Sequence, residues 1–239
     1  PLGHSFSRDF FTRKFKAEGI DAEYLNFELP DIGDIMEVLA EQPRLCGLNV
    51  TIPYKTQVIE YLDEMDARAR AIGAVNVVKV SHSADGEPYL KGYNSDVVGF
   101  AESLKPLLRP WQTHALILGT GGASKAVACA LQELGITYKK VSRHKSAEAL
   151  TYEELTPEVM ERNLLIVNTT PLGMYPHIDE CPDIPYSLLT PRHICYDVIY
   201  NPQETLFMKR AAERGATIKN GLEMLHLQAE ESWRIWNNP

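Results

Sequence analysis

Apolar and polar positions along the chain repeat with two periods, and the change from one to the other marks out the elements. Phe10, Phe11 and Phe15 fall on one face of a helix behind Ser7, which predicts Ser7 as N-cap and Gly19 as the terminating glycine. Residues 24–29 read as a strand, 31–41 as a helix, 45–52 as another strand and 57–72 as one or two helices. Residues 74–78 and 89–93 are strand-like around the polar turn signal Asp85-Gly86, which predicts a hairpin. A helix over 97–108 follows.

From His114 the pattern becomes a regular alternation. Residues 115–118 form a short apolar run. Ala123, Ala126, Val127, Ala130, Leu131 and Leu134 then recur at helical spacing before Gly135. Strands are expected at 136–142, 164–167 and 194–198, with helices over 204–214 and 222–236. Alternation of this kind is what a parallel, doubly wound sheet requires. The fold class predicted is α/β, with two α/β domains divided in or near the 97–108 helix.

Composition narrows the functional classes. The 239 residues are 44% hydrophobic and 23% charged, as in a folded soluble protein with a sizeable core. A net charge of −8 argues against nucleic acid as a partner, because phosphate binding wants a basic face. No apolar run approaches the ~20 residues of a membrane span. Cys46, Cys129, Cys181 and Cys195 are scattered without a CxxC pair, which suits a reducing compartment and a cytoplasmic location. His193 with Cys195, and His177 near Cys181, lack the spacing and second half of a zinc site, so no metal is expected.

Four segments carry candidate chemistry. Gly119-Thr120-Gly121-Gly122-Ala123-Ser124 follows a strand and opens a helix. Glycines there let the backbone approach a pyrophosphate, and a helix N-terminus offers free N–H groups. Ser124 takes the place of the last glycine in the usual pattern. About twenty residues beyond the first glycine, where an NAD enzyme carries an acid, the chain reads Ser142-Arg143-His144-Lys145. Basic groups there would pair with a 2′-phosphate, which favours NADP. Finally, Gly47-Leu48-Asn49-Val50-Thr51-Ile52-Pro53-Tyr54-Lys55 leaves one lysine at a strand-to-helix junction, and Gly92-Tyr93-Asn94-Ser95-Asp96 supplies a carboxylate at a similar one. The pair suggests acid/base work beside a dinucleotide.

Asn49 to Lys55, Gly92 to Asp96 and Gly119 to Ser124, with Pro1-Leu2-Gly3-His4-Ser5-Phe6-Ser7, Ile72-Gly73-Ala74-Val75-Asn76, Asn168-Thr169-Thr170-Pro171-Leu172-Gly173-Met174, Tyr196-Asp197-Val198-Ile199-Tyr200 and Gly221-Leu222-Glu223-Met224-Leu225-His226-Leu227-Gln228, closely resemble the shikimate dehydrogenase family, in the family's order and from end to end. The resemblance implies NADPH-dependent reduction of 3-dehydroshikimate to shikimate, a step toward aromatic amino acids. It implies an α/β substrate-binding domain over 1–98, to which a helix in 222–239 returns, and a Rossmann-type NADP-binding domain over 99–221. Lys55 becomes the acid/base and Asp96 its partner. Ser5, Ser7, Thr51, Asn76, Asp96, Tyr200 and Gln228 become substrate contacts. Gly119, Thr120, Gly121, Gly122, Ala123, Ser142, Arg143, Lys145, Thr169, Val198 and Gly221 become cofactor contacts. The partner expected is a small molecule, with neither nucleic acid nor membrane, for a monomer or homodimer.

Two departures stand out. The family's first strand, ahead of Pro1, is absent from this numbering, so the sheet is expected to begin one strand short unless that strand lies outside it. The basic loop differs from the Asn-Arg-Thr of many relatives. Alternatives are a quinate/shikimate dehydrogenase using NAD or NADP, a non-catalytic binding homologue, which intact Lys55 and Asp96 disfavour, and a folate-linked dehydrogenase of related architecture.

Overall fold

The computed structural model describes residues 6–238. The chain divides into two compact units, one running to Ser95 and resuming at Ala229, the other spanning Asp96–Gln228.

The first unit contains α1 (Phe6–Glu18), a 3-10 turn at Ile32–Asp34 leading into α2 (Ile35–Glu41), β1 (Gly47–Asn49), a 3-10 turn at Gln57–Tyr61, β2 (Glu64–Met65), α3 (Ala67–Ile72), β3 (Val77–His82) and β4 (Pro88–Tyr93). Its four strands lie in the order β1-β3-β4-β2. β3 and β4 form the antiparallel hairpin, in register from Val77↔Tyr93 to His82↔Pro88, while β2 joins β4 in parallel. Because alternate residues of a strand share a face, Val78 and Val80 enter one core with Leu90, Ile35, Leu39 and Val58. A separate aromatic cluster joins Phe11, Phe15 and Tyr24 of the N-terminal region to Trp233 and Trp236 near the C-terminus. Phe11 stacks on Tyr24 at 5.0 Å and meets Trp236 at 5.2 Å, pairs worth ~0.5–1.5 kcal/mol each beyond the area they bury. Trp236 Nε1 donates to the Val78 carbonyl, and a Cβ at Gly47 would overlap the Trp236 ring.

Three local expectations change here. α1 begins at Phe6, so Ser7 sits inside its first turn and is not the cap. Residues 24–29 form no strand, since a strand exists by pairing and Tyr24 instead commits its ring to the aromatic cluster and its hydroxyl to Asn49. The expected strand over 45–52 shortens to β1, as its ladder with β3 ends at Asn49↔Val77 ahead of the cis Ile52–Pro53 bond.

The second unit holds α4 (Asp96–Leu104), β5 (His114–Leu118), α5 (Gly122–Glu133), β6 (Thr137–Ser142), β7 (Ala149–Thr151), α6 (Pro157–Arg162), β8 (Leu165–Asn168), β9 (Ile194–Asp197), α7 (Leu206–Ala212), β10 (Thr217–Lys219) and the first part of α8 (Leu222–Asn237). Its six strands are all parallel, in the order β10-β9-β8-β5-β6-β7. Counted within the unit this is 3-2-1-4-5-6 read from β7, the order of a doubly wound dinucleotide-binding sheet. Every residue of β8 and β9 is buried, which requires cover on both faces because successive side chains point opposite ways. The chain leaves β5 toward β6 on one side and later returns to β8 on the other. The crevice at that reversal is where such sheets bind ligands.

Candidate active site

The turn after β5 is shaped by contacts that only glycine permits. Gly119 has φ +106°, and a Cβ there would stand 2.9 Å from Thr169 Oγ1. Thr169 closes the turn by donating both its N–H and its hydroxyl to the Leu118 carbonyl, at 2.9 and 2.6 Å. Gly121 and Gly122 face open space, with nothing within 4 Å of where a Cβ would be. Gly121 is the N-cap and Gly122 the first of the twelve residues of α5, whose first N–H groups and positive dipole end suit an anion. Ser124, in the place of a third glycine, is fully buried and donates to the Gly121 carbonyl at 2.6 Å, so its hydroxyl serves the turn. Thr120 in the turn and Ala123 in the first turn of α5 are exposed.

At the end of β6, Ser142 Oγ accepts from the His144 N–H at 3.2 Å and so shapes the basic loop. Arg143 is exposed, and its charge opposes the burial that raises the Tyr152 phenol. Lys145 lies 3.5 Å from Glu154, the carboxylate that closes a capping box with Thr151. Arg143 is therefore the better placed of the two for an added phosphate. A glycine cradle with open space above it, a helix N-terminus and a basic loop in place of an acid together fit NADP.

The carboxyl ends of β8 and β9 are tied by a buried polar network. Asn168 donates to Asp197 at 3.1 Å and accepts from the Thr170 N–H and hydroxyl at 3.0 and 2.7 Å. Asp197 also accepts from the Ile199 N–H at 3.0 Å and from the Thr205 hydroxyl at 2.6 Å. Burial pushes the Asp197 carboxyl up to about 6 against those three donors. Val198 is half-buried and donates its N–H to the Asn168 carbonyl, Tyr200 is exposed, and Gly221 packs so closely that a Cβ would overlap the Val198 carbonyl. Gln228 donates to the Leu225 carbonyl at 3.0 Å beside Gly99 of α4, where α4 and α8 cross at close range.

In the first unit, Lys55 follows the cis Pro53 turn, and its carbonyl accepts from the Val75 N–H at 2.7 Å. Thr51 is exposed in that turn. Asn76 is buried, with its amide clamped on Ser95: Oδ1 accepts the Ser95 N–H at 2.8 Å and Nδ2 donates to Ser95 Oγ at 3.0 Å. Burial pushes the Tyr24 phenol up to about 12, and Ser7 opposes that shift. Ser5 lies outside the described residues. Asp96 opens α4 at the start of the second unit.

A family model described as the shikimate dehydrogenase substrate binding domain matches residues 1–78. The chain is 34% identical over 260 residues to the shikimate dehydrogenase (NADP(+)) of Desulforamulus reducens, covering 99% of this chain and 87% of that protein. It belongs to the shikimate dehydrogenase family. The crystal structure of shikimate 5-dehydrogenase from Thermus thermophilus in complex with NADP(H) and shikimate is similar at a TM-score of 0.84 with 30% identity, covering 99% of this chain and 90% of that one. That of shikimate 5-dehydrogenase from Listeria monocytogenes in complex with shikimate and NAD is similar at 0.85 with 28% identity, covering 99% and 88%.

The structure also joins residues to which the motif reading gave no role. Asn168, Thr170 and Asp197, at and just beyond the ends of apolar strands, form a connected network with Thr205, the N-cap of α7. Asn49, Ser95 and Ser232 are linked in the same manner in the first unit, and their separation in sequence hid the link. His193 serves the fold, with the Thr190 N–H on Nδ1 at 3.0 Å and Nε2 3.0 Å from the Met160 carbonyl.

Proposed function

We propose that this chain reduces 3-dehydroshikimate to shikimate with NADPH, reversibly, with Lys55 as the acid/base. The observation that carries this reading is the likeness along 99% of the chain to a curated NADP-dependent shikimate dehydrogenase, with Lys55, Asp96 and the glycine turn all present. NADPH supplies the hydride when bound. The backbone at Gly119, Thr120, Gly121, Gly122 and Ala123 and the N-terminus of α5 would hold its pyrophosphate. Ser142, Arg143 and Lys145 would hold the 2′-phosphate, with Thr169, Val198 and Gly221 lining the nicotinamide side. Residues 99–221 then act as the cofactor domain, and 1–98 with 222–239 as the substrate domain.

As the ketone becomes an alcohol, negative charge grows on its oxygen. The Lys55 ammonium offsets that charge and gives its proton, and in reverse the neutral amine removes the alcohol proton. Asp96 is its partner carboxylate. Ser7, in the first turn of α1, suits the substrate carboxylate, where a helix dipole favours negative charge, and the family resemblance assigns Ser5 to the same group. Thr51, Asn76, Asp96, Tyr200 and Gln228 suit the ring hydroxyls, and polar groups left unpaired by a deoxygenated analogue would reject it. The four free cysteines support a reducing, cytoplasmic setting. Lys55→Met is expected to lower turnover ~10²–10⁴-fold with the shikimate KM nearly unchanged, followed as NADPH absorbance. Normal turnover in that variant would remove the assignment. Shikimate and quinate, each with NADP and NAD, separate this activity from a broader one.

A further inference from the structure

We propose that Tyr24, Asn49, Ser95 and Ser232 are positioning residues that set the substrate-facing end of Asn76; the proposal rests on the assignment of Asn76 to substrate. A single hydrogen-bonded chain joins them. The Tyr24 phenol, on which Ser7 opposes the rise that burial imposes, donates to Asn49 Oδ1 at 2.9 Å. Asn49 Nδ2 donates to Ser232 Oγ at 2.9 Å, Ser232 Oγ is 3.4 Å from Ser95 Oγ, and Ser95 holds both ends of the Asn76 amide.

The chain crosses the interior of the unit. Ser95 and Ser232 are fully buried, and Tyr24 is stacked on Phe11 within the aromatic cluster. An apolar filling of that space would avoid desolvating so many polar groups, since a buried hydrogen bond contributes little net stability while an unmade one is expensive. The chain's end explains why it is polar: it is a carboxamide whose orientation is forced, because the Ser95 N–H can face only an oxygen. Ser95 also directly precedes Asp96, so the same clamp fixes the backbone that carries the carboxylate. Asn49 is held from two sides, by Tyr24 from the segment after α1 and by Ser232 from α8, three parts of the chain far apart in sequence.

The test uses the whole chain, with Tyr24→Phe, Ser232→Ala and the double variant, against Asn76→Ala. Shikimate KM, NADP KM, kcat and Tm are measured for each. Both single variants are expected to raise shikimate KM about 3–10-fold, the equivalent of one lost hydrogen bond, with kcat and NADP KM within about twofold. The double variant should fall short of the product of the singles, because they break one chain. If Asn76→Ala raises shikimate KM while Tyr24→Phe and Ser232→Ala change only Tm, the network is structural and the proposal is overturned. If Asn76→Ala leaves shikimate KM untouched, the substrate assignment itself falls first. Should Ser232→Ala fail to fold, Tyr24→Phe, which keeps the ring, decides alone.

Discussion

In the unit that runs to Ser95, a neutral network of half-buried to fully buried hydroxyls and amides joins Tyr24, Asn49, Ser232, Ser95 and Asn76 side chain to side chain. Asp96–Gln228 contains instead two buried titratable groups held by hydrogen bonds, the carboxyl of Asp197 and the imidazole of His193, and its strand ends are fixed by close approach at Gly119 and Gly221. The difference teaches where each unit is vulnerable. A neutral network is insensitive to pH and fails by losing individual hydrogen bonds. A network centred on a buried carboxylate responds to protons, and a glycine contact fails outright when a methyl group is added.

The sharpest break in that comparison is Gly221→Ala. The new methyl would overlap the Val198 carbonyl while the Gly221 N–H still bonds Ile199, so relief requires moving backbone. The loss is expected at or beyond the top of the ~1–3 kcal/mol typical of overpacking, read as a lower urea midpoint. A midpoint unchanged from the parent would mean that the β9 loop yields easily.

Next in size is the pH dependence. The Asp197 carboxyl titrates near 6 in the folded protein and near ~3.9 unfolded, so its contribution is whole below about pH 4 and is lost as pH rises through about 6. His193 runs the other way. Burial holds it below its ordinary value, so its contribution is present above ~6.5 and lost as pH falls through its folded value. Asp197→Asn keeps the shape and should remove the first trend, a change on the order of 2–3 kcal/mol between pH 4 and 7. Amide exchange followed separately in β3–β4 and β8–β9 should show the trend in the second pair only. Parallel pH curves for parent and variant would put the two units on the same footing.

Arg143→Ala sharpens the cofactor side. It should weaken NADP about 10–100-fold, as the loss of a charged hydrogen bond does, and NAD within about twofold, by fluorescence titration of each. Equal losses would detach Arg143 from the 2′-phosphate. Smallest is Gly122→Ala, where the site is open and helical. It should leave stability unchanged or raise it by up to ~1 kcal/mol while lowering NADP affinity. A gain in both would show that no backbone approach occurs there.

Much of the second unit was legible because its signals are local. An apolar run, a glycine turn and a 3.6-residue repeat lie within thirty residues of one another and predict β5, α5 and β6 together. The three-residue edge strands β7 and β10 were not, since strands so short carry too few residues to establish a period. In the first unit, residues 24–29 have strand composition and no strand, because pairing is a property of the neighbour.

By itself the sequence determined the α/β class, the parallel alternation after His114, the glycine turn, the basic loop in place of an acid and the ordered motifs of the family. Each of these is written in residues close together along the chain. Only the tertiary structure decided that Tyr24, Asn49, Ser95 and Ser232 form one chain, that Asp197 is buried against three donors, and that Gly221 meets Val198. Those facts depend on partners as many as 183 positions apart, and burial and hydrogen bonding belong to the pair.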